Sequence, residues 1–429
     1  MGIAIKNILA VLPGADGTPE TRVVSVYIAD GIIAGIGDEP IGFAADKTIE
    51  GAGKLLIPGF VNAHTHAYMT LFRNQTDDLD FDTWLFKRVM PAEDAMTHDD
   101  AYWSTMLACT EMIRGGVTSF IDMHMFPRTI VNAALDSGMR AVISRGLSGG
   151  ASDVEGGSRR MREALDEIDE FARVSDRISF RLAPHAVTTC DEGYLRQIGE
   201  TVTRLGLGIH THLSESPSET ELTRSLYGCT PPQLYDRCGL LTERTVVAHC
   251  CNISADDIEL LAERGVSVAL NHASNLKLAN GFPQIELLMK SGVNLCLGTD
   301  SAASNNSLSI MREMGLTSLL HKARLGDPCA VTASEAFGMA TINGAKALDF
   351  DKTGEIRIGW QADLAIFDTD RPELIPLGDP IAALCYSSQG LTADTVIIDG
   401  EVVMDAGVFA AFDAGEVLSE MRVRKARFD

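Results

Sequence analysis

Apolar and polar stretches alternate through the middle of the chain in a pattern that predicts strands followed by helices. Short strand-like apolar runs cover residues 116–123, 141–145, 178–182, 207–213, 245–248, 266–270 and 293–298. Most of the gaps hold helix-like segments, at residues 103–114, 160–171, 256–263 and 285–290. With one further run that ends at His64, the pattern gives eight strand–helix units. That number predicts an α/β fold of the (β/α)8 TIM-barrel type.

A doubly wound open sheet is the competing architecture for such an alternation. Its usual sign is a glycine-rich dinucleotide-binding loop after a strand, and no strand here is followed by one. We therefore expect the barrel. In a barrel, catalytic groups lie at the carboxyl ends of the strands, so polar residues that end these apolar runs should form one set.

The two ends of the chain carry a different signal, that of β-hairpins. Asp30-Gly31 separates the apolar runs 23–28 and 32–36, and Asp399-Gly400 separates the runs 396–398 and 402–404. Asp-Gly between apolar runs is typical of a hairpin turn. Each end is too small to fold alone. We expect both ends, residues 1–57 and 357–429, to form a small β-sandwich domain beside a barrel of residues 58–356.

Composition and charge exclude several classes of protein. The 429 residues are 45% hydrophobic and 22% charged, which is a globular composition. The net charge of −23 repels nucleic acid and anionic membrane surfaces, so we expect neither as a partner. No apolar run reaches membrane-spanning length, and the start of the chain lacks a signal-peptide pattern. The nine scattered cysteines suggest a reducing cytoplasm.

Histidine and carboxylate side chains end four of the apolar runs. The first run ends in His64 and His66, whose spacing places both side chains on one side of a strand. The fifth run ends in His210-Thr211-His212-Leu213-Ser214-Glu215, the sixth in Ala248-His249-Cys250 and the eighth in Gly298-Thr299-Asp300. An isolated His-x-His pair is a weak signal, but four strand ends with histidine or aspartate in one predicted barrel predict a metal site. Neutral imidazoles with a carboxylate suit zinc or a similar divalent ion.

Several of these segments also resemble the signature motifs of the amidohydrolase superfamily. They are Pro58-Gly59-Phe60-Val61-Asn62-Ala63-His64-Thr65-His66, His212-Leu213-Ser214-Glu215, His249-Cys250, Ala273-Ser274-Asn275-Leu276-Lys277-Leu278 and Gly298-Thr299-Asp300. The resemblance covers nearly the whole chain. Within the superfamily, the sequence is most similar to the 5′-methylthioadenosine/S-adenosylhomocysteine deaminase group.

The resemblance implies a mononuclear metal centre. It assigns one divalent ion to His64, His66, His212 and Asp300, and it favours His212 over His210, which lies two residues deeper in its strand. Zinc is the first candidate for this ion, and iron, manganese and nickel are the alternatives. Such a ligand set leaves an open position for water, whose pKa falls towards about 7.

The residue types around this centre suggest the chemistry of a hydrolytic deaminase. Glu215 is placed to take a proton from the water and give it to a ring nitrogen of the substrate. His249 can stabilise the attacking hydroxide or the developing charge, although a role as a metal ligand stays open for it. Asp300 can carry the proton to the departing ammonia.

Substrate contacts follow from the resemblance to the deaminase group. Glu93 is expected to accept the ribose hydroxyl groups, and His185 to contact the substrate. Arg145 and Arg160 are expected to bind the carboxylate of a homocysteine tail, with Arg159 as the alternative to Arg160. Two further expected contacts are Ser304 and Trp84. We also expect a homo-oligomer, either a dimer or a tetramer.

Three departures from the group's pattern leave the substrate open. They are Leu270-Asn271-His272 before the Ala-Ser-Asn segment, Ser301 after Asp300, and His124 at the second strand's end. A hydrolase of another ring, such as a triazine, pterin, cytosine or oxopurine, is therefore the second hypothesis. Glu93 and the stretch 149–153, which lacks a Gly-Gly-Leu-Pro-Pro-like motif, favour the nucleoside. A metal-free scaffold protein is the third hypothesis, and no expected ligand is missing to support it.

Overall fold

Eighteen strands and the helices between them make up the structure, a computed structural model that describes residues 1–15, 17–388 and 390–428. The strands are β1 Gly2–Pro13, β2 Pro19–Ala29, β3 Ile32–Ile36, β4 Lys47–Glu50, β5 Lys54–Pro58, β6 Phe60–His66, β7 Val117–His124, β8 Arg140–Leu147, β9 Ile178–Pro184, β10 Gly208–Leu213, β11 Thr245–His249, β12 Ser267–Leu270, β13 Asn294–Leu297, β14 Asp300–Ser301, β15 Leu364–Asp368, β16 Thr395–Ile398, β17 Glu401–Asp405 and β18 Val408–Phe409.

The helices mostly follow the strands of the middle segment. The α-helices are α1 Met90–Asp94, α2 His98–Arg114, α3 Thr129–Ser137, α4 Val154–Phe171, α5 Glu192–Leu205, α6 Pro217–Tyr227, α7 Pro231–Arg237, α8 Ala255–Glu263, α9 His272–Lys277, α10 Ile285–Lys290, α11 Ile310–Leu325, α12 Ala333–Ala340, α13 Ile342–Ala347, α14 Pro380–Tyr386 and α15 Ala414–Lys425. Two short 3-10 helices, Ala67–Phe72 and Pro372–Leu374, and a π-helical segment, Thr83–Val89, complete the set.

The middle strands form one curled parallel sheet, as the alternating pattern predicts. Strands β6 to β13 pair in chain order, and β14 pairs with β6 at the other edge. Strands β13 and β14 belong to one continuous stretch, 294–301, so the sheet returns to its first strand. Nearly every residue of these strands is buried. This closed arrangement of parallel strands and helices is consistent with a TIM barrel, and an open doubly wound sheet lacks it.

Helices α2 and α4 begin earlier in the chain than apolar periodicity predicts, because capping side chains determine where they start. Helix α2 begins at His98 because Thr97 and Asp100 form a capping box, five residues before the predicted start at 103. Helix α4 begins at Val154 because the Asp153 carboxylate accepts a hydrogen bond from the Gly156 amide. The predicted helix 285–290 is confirmed with the same bounds.

Strands from both ends of the chain join in a second sheet. Its order is β18-β17-β16-β15-β5-β1-β2-β3, with β4 paired to β1, so β15 from the far end lies against β5 from the near end. Both predicted hairpins are confirmed. Each turns through an Asp-Gly pair with positive φ, at Asp30-Gly31 and at Asp399-Gly400. The predicted arrangement as a β-sandwich, with two sheets face to face, stays a prediction.

Helices of the C-terminal segment also contact the middle segment. Helix α15 packs against α2, where Val417 is buried with Met106 and Ala133. Just after α15, the Arg427 guanidinium donates to both carboxylate oxygens of the buried Asp100, at 3.0 and 2.9 Å. The hairpin signals of the sequence did not predict this packing, because it depends on contacts more than 300 residues apart in the chain. Within the described part of the chain, no helix is long and apolar enough to cross a membrane.

Candidate metal centre and active-site cavity

The polar strand ends meet at one point, as the barrel prediction requires. The Nε2 atoms of His66 and His212 are 3.1 Å apart. The Asp300 Oδ1 atom lies 3.5 Å from His64 Nε2 and 3.6 Å from His66 Nε2. His249 joins the same cluster, since one of its nitrogen atoms lies within 4.8 Å of ligand atoms of both His64 and Asp300. Ends of β6, β10, β11 and β14 therefore supply one buried group of possible metal ligands.

Hydrogen bonds on the far side of two rings determine which nitrogen faces the cluster. His66 Nδ1 lies 2.8 Å from the Met123 carbonyl oxygen, and His212 Nδ1 lies 2.8 Å from the His185 carbonyl oxygen. A carbonyl only accepts, so each Nδ1 carries the hydrogen and each Nε2 presents a lone pair. Two neutral rings cannot form a hydrogen bond between their Nε2 atoms in this state. A cation between the two lone pairs resolves the contact.

The other two rings are also bonded through Nδ1. His249 Nδ1 lies 2.8 Å from the Asn275 side chain, whose Oδ1 atom accepts, and His64 Nδ1 lies 2.8 Å from His210 Nε2. The Nε2 atoms of His64 and His249 are buried and have no hydrogen-bond partner among the described residues. Buried polar atoms without partners are rare in folded proteins. Unpartnered ring nitrogens around one carboxylate oxygen are a donor set that fits a divalent ion.

Asp300 is held so that one oxygen atom faces the histidines. Its Oδ2 atom accepts hydrogen bonds from Ser274 Oγ at 2.6 Å and Ser304 Oγ at 2.8 Å, which leaves Oδ1 toward the cluster. Asp300 and His249 have positive φ values of 58° and 75°, which non-glycine residues rarely adopt. Backbone strain of this kind concentrates at functional sites. Gly298 is required nearby, because a Cβ there would lie 2.7 Å from the Cβ of His64.

Burial and charge set the protonation states of the cluster. Burial lowers the pKa of His64 to about 4 and holds the pKa of His212 well below its usual range. Burial alone would raise the pKa of Asp300, but the close imidazoles of His64, His249 and His66 bring it well below the usual value. Neutral imidazoles beside an ionised carboxylate are the forms that bind a divalent ion.

Glu215 lies beside the cluster and is oriented by side chains that the sequence patterns did not reveal. Its Oε2 atom is 3.9 Å from His249 Nε2, and its Oε1 atom accepts a hydrogen bond from Asn280 Nδ2 at 2.9 Å. The Glu219 carboxylate accepts from the backbone amides of Ser214 and Glu215 at 3.0 and 2.8 Å, which holds the loop. Burial raises the pKa of the Glu215 carboxyl group, so it can carry a proton nearer to neutral pH.

A cavity opens above the cluster and contains most of the predicted substrate contacts. Its floor is formed by His66, His212, Glu215, His249 and Asp300. One wall is apolar and includes the predicted residue Trp84, whose Nε1 atom donates to Thr76 Oγ1 at 3.2 Å. Phe81, Leu85, Val89 and Met90 line the same wall. A polar floor beneath an apolar wall is the usual arrangement of a small-molecule site.

Glu93 and His185, two of the expected substrate contacts, line this cavity. The Glu93 carboxylate accepts a hydrogen bond from the Tyr68 hydroxyl group, and burial raises the pKa of Glu93. Tyr68 follows His66 closely in the chain, a proximity that could have pointed to it. Burial lowers the pKa of His185 to about 4, and its ring centroid lies 4.8 Å from that of His212.

Arg145 and Arg160 do not line the cavity directly. The buried Arg145 binds the Glu163 carboxylate at 2.8 Å, and its Nη1 atom touches the Sδ atom of Met125, a cavity-lining residue. Arg160 donates to Asp153 at 2.7 Å and to the carbonyl oxygen of Ser148, another lining residue, at 3.0 Å. Each arginine therefore lies behind the wall and already binds a carboxylate.

The other residues singled out in the sequence are Ser304, Arg159 and the three departures from the group's pattern, and most of them lie outside the cavity. Ser304 does not line the cavity and instead supports Asp300 from below. Arg159 is exposed and lies 3.5 Å from Glu163. Of the three departures from the group's pattern, Ser301 lines the cavity, whereas His124 is bonded to Glu167 at 3.1 Å. The third, His272, forms a buried pair with His321 at 2.8 Å, away from the cavity.

The chain is similar to known enzymes along almost its entire length. The sequence profile described as the amidohydrolase family matches residues 55–403. A 5-methylthioadenosine/S-adenosylhomocysteine deaminase from Pelotomaculum thermopropionicum is 39% identical over 424 residues, which are 97% of this chain and 96% of the relative. A 5'-deoxyadenosine deaminase from Methanothermobacter thermautotrophicus is 43% identical over 385 residues, which are 89% of this chain and 90% of the relative.

A solved structure shows a similarity of the same extent. The structure of an adenosine deaminase from Xanthomonas campestris with bound zinc superposes with a TM-score of 0.94 and 30% identity, and the match covers 99% of this chain and 98% of that one. The extent of the profile match and the identity of the full-length relatives lead to one conclusion: the chain belongs to the amidohydrolase family.

Proposed function

We propose that the protein is a metal-dependent hydrolytic deaminase of adenosine-type nucleosides. It replaces the 6-amino group of the base by oxygen from water, so that water and 5′-methylthioadenosine or S-adenosylhomocysteine give the inosyl product and ammonia. The observation that carries this proposal is the set of inward-facing, unpartnered histidine nitrogens beside Asp300 and Glu215 at the base of an apolar cavity. The relatives named as adenosine-type deaminases support the choice of substrate.

For the resident ion we propose zinc, held by His64, His66, His212 and Asp300. Three neutral imidazoles and one carboxylate are ligands that zinc takes, and iron, manganese or nickel could replace it. When bound, such an ion supplies Lewis acidity and lowers the pKa of a coordinated water towards about 7. His249 stays outside this ligand set in the proposal, because its Nε2 atom also faces the Glu215 carboxylate.

Glu215 is proposed to move the proton in the hydrolysis. Its raised pKa lets the carboxyl group hold a proton, and Asn280 fixes its orientation. In the proposed cycle, Glu215 takes a proton from water and delivers it to the ring nitrogen next to the amino-bearing carbon. His249 stabilises the attacking hydroxide or the charge that develops during the attack. Asp300 takes the remaining proton of the water-derived hydroxyl group and passes it to the amino group, which then leaves as ammonia.

The side chains of the cavity walls are proposed to bind the ribose and the base of the nucleoside. Glu93, held by Tyr68, accepts hydrogen bonds from the ribose hydroxyl groups, and Trp84 stacks on the base. His185 completes the polar side of the cavity. For a substrate with an amino-acid tail, Arg145 and Arg160 exchange their present carboxylate partners for the carboxylate of the tail. Ser304 contributes through Asp300, whose orientation its hydroxyl group fixes.

We also propose that the domain boundaries follow the sheets, with residues 58–356 as the catalytic barrel and residues 1–57 and 357–429 as the second domain. The antiparallel pairing of β5 with β15 supports this division, because it joins the two ends of the chain. All nine cysteines are free thiols, which supports a cytoplasmic location.

The ligand assignment predicts the metal content of variants. Purified protein should carry about one divalent ion per chain by elemental analysis, and His66→Ala or Asp300→Ala should lose the ion and most of the activity, because each removes a ligand. His272→Gln is the matched control, since His272 is equally buried but lies outside the cluster. Full retention of the ion in both ligand variants would contradict the assignment.

The role of Glu215 predicts a loss of turnover without a loss of metal. Glu215→Gln keeps the shape of the side chain but cannot transfer the proton, so kcat should fall about a hundredfold or more. Elemental analysis should show the ion still bound. Glu259→Gln, an exposed change on α8, should leave kcat unchanged. Near-normal turnover of Glu215→Gln would assign the proton transfer to another residue.

The proposed ribose contact predicts the order of substrates in an ammonia-release assay. A buried acceptor left unpaired costs about 1–3 kcal/mol, so adenosine-type nucleosides should exceed free adenine by about tenfold or more in kcat/KM. The 2′-deoxy nucleosides should lose a similar factor. The proposal fails if free guanine, cytosine or a triazine is a better substrate than every nucleoside tested.

The two arginines predict discrimination between substrate tails. Arg160→Ala should lower kcat/KM for S-adenosylhomocysteine about tenfold or more and leave 5′-methylthioadenosine within about twofold, because only the former carries a carboxylate. The neighbouring change Arg159→Ala is the matched control and should affect neither substrate. Equal losses for both substrates in Arg160→Ala would show that this residue has no role in reading the tail.

A further inference from the structure

A chain of hydrogen bonds crosses the barrel interior and ends at His64. It begins at the Asp122 carbonyl oxygen on β7, which accepts from Ser144 Oγ on β8 at 2.6 Å. Ser144 Oγ lies 3.0 Å from His210 Nδ1 on β10. His210 Nε2 lies 2.8 Å from His64 Nδ1 on β6. All four residues are fully buried, so water does not compete for these bonds.

The direction of every bond in this chain is determined by its first member. A backbone carbonyl only accepts, so the Ser144 hydroxyl group donates its one hydrogen to the Asp122 carbonyl oxygen. Ser144 must then accept from His210 Nδ1, which places the hydrogen of the neutral His210 ring on Nδ1. His210 Nε2 therefore carries a lone pair and accepts a hydrogen bond from His64 Nδ1. His64 is left with its Nε2 lone pair toward the metal cluster.

We infer that His210 is a positioning residue, which with Ser144 fixes His64 in the one tautomer that can bind a metal ion. This inference rests on the proposed metal site and adds two residues that do not touch the cluster's centre. The other three histidines of the cluster receive their tautomer from a single carbonyl or amide acceptor. His64 alone depends on a ring with two tautomers, so it needs Ser144 to select between them.

Loss of the Ser144 hydroxyl group should therefore favour the tautomer of His64 that cannot bind a metal ion. Without the hydroxyl group, a hydrogen on His210 Nδ1 would have no acceptor in a buried position, which disfavours that form. The hydrogen then moves to His210 Nε2 and is donated to His64 Nδ1. His64 must now carry its own hydrogen on Nε2, where it blocks metal binding.

The structure contains a second histidine pair that serves as a matched control. His272 Nε2 lies 2.8 Å from His321 Nε2, and His272 Nδ1 lies 3.1 Å from the Thr317 hydroxyl group. This pair has the same composition of two rings and one hydroxyl group and is also buried. It has no member in the metal cluster, so equivalent substitutions there test for general destabilisation.

The experiment measures the affinity of the metal-free protein for Zn²⁺ by competition with a chelator. His210→Leu should weaken Zn²⁺ binding about 10–100-fold, the usual effect of removing a group that orients a ligand. Ser144→Ala should weaken it by about tenfold, and His210→Gln, whose amide oxygen can accept from His64, should recover part of the loss. His272→Leu and Thr317→Ala should bind Zn²⁺ as the wild type does. No substrate is present, so an error in the proposed substrate would not affect the result.

Histidine-selective ¹⁵N NMR of the metal-free protein gives a second readout that mere packing would not change. The His64 signal, assigned by its loss in His64→Ala, should show the Nδ1–H tautomer in the wild type and gain Nε2–H character in Ser144→Ala. If His210→Leu does not fold, Ser144→Ala carries the test alone. Wild-type Zn²⁺ affinity with an unchanged tautomer in folded Ser144→Ala would overturn the inference, as would an equal loss of affinity in His272→Leu.

Discussion

Four buried histidine rings direct their Nε2 atoms to one small volume beside Asp300, and this convergence is the constraint on which the site depends. Each Nδ1 is bonded to a group on the outer side of its ring, and for His66, His212 and His249 that group is an oxygen atom that accepts. For His64 the group is the His210 ring, which holds the hydrogen on His64 Nδ1 as long as His210 Nε2 carries a lone pair. Ring nitrogen lone pairs and a carboxylate oxygen that face one another in a buried setting repel each other. A bound cation removes the repulsion.

The barrel supplies the groups that hold these rings from different strands. The acceptors for His66 and His212 are the carbonyl oxygens of Met123 and His185, at the ends of β7 and β9. The acceptor for His249 is Asn275 on α9. A shift of one residue in the pairing of any of these strands would turn its side chains to the other face. The chemistry of the site is therefore inseparable from the register of the sheet.

The sequence predicted the parts of this arrangement that depend on local pattern. The positions of the strands follow from apolar periodicity, and the place of His64, His66 and Asp300 follows from the rule that barrel strands carry polar groups at their carboxyl ends. The residues that orient the site were not predictable in this way. Asn280 and Glu215 are 65 positions apart in the chain, and nothing in either local sequence indicates their hydrogen bond.

The surroundings of the arginines show a second limit of sequence reasoning. Strand-end position placed Arg145 near the cavity, but whether its guanidinium faces the cavity depends on its competing partner. Glu163, on the following helix, binds it instead. Periodicity gives the face on which a side chain starts but not the ion pair in which a long side chain ends. The packing of α15 on α2 escaped prediction because it depends on a contact between distant parts of the chain.

Crystallography of the zinc-loaded protein, with anomalous diffraction recorded at the zinc edge, would show which atoms bind the ion. We expect one anomalous peak per chain, about 2.0–2.2 Å from the Nε2 atoms of His64, His66 and His212 and from a carboxylate oxygen of Asp300. A peak bound through an Nδ1 atom, a second peak of equal height in the cavity, or a peak only outside this cluster would contradict this expectation.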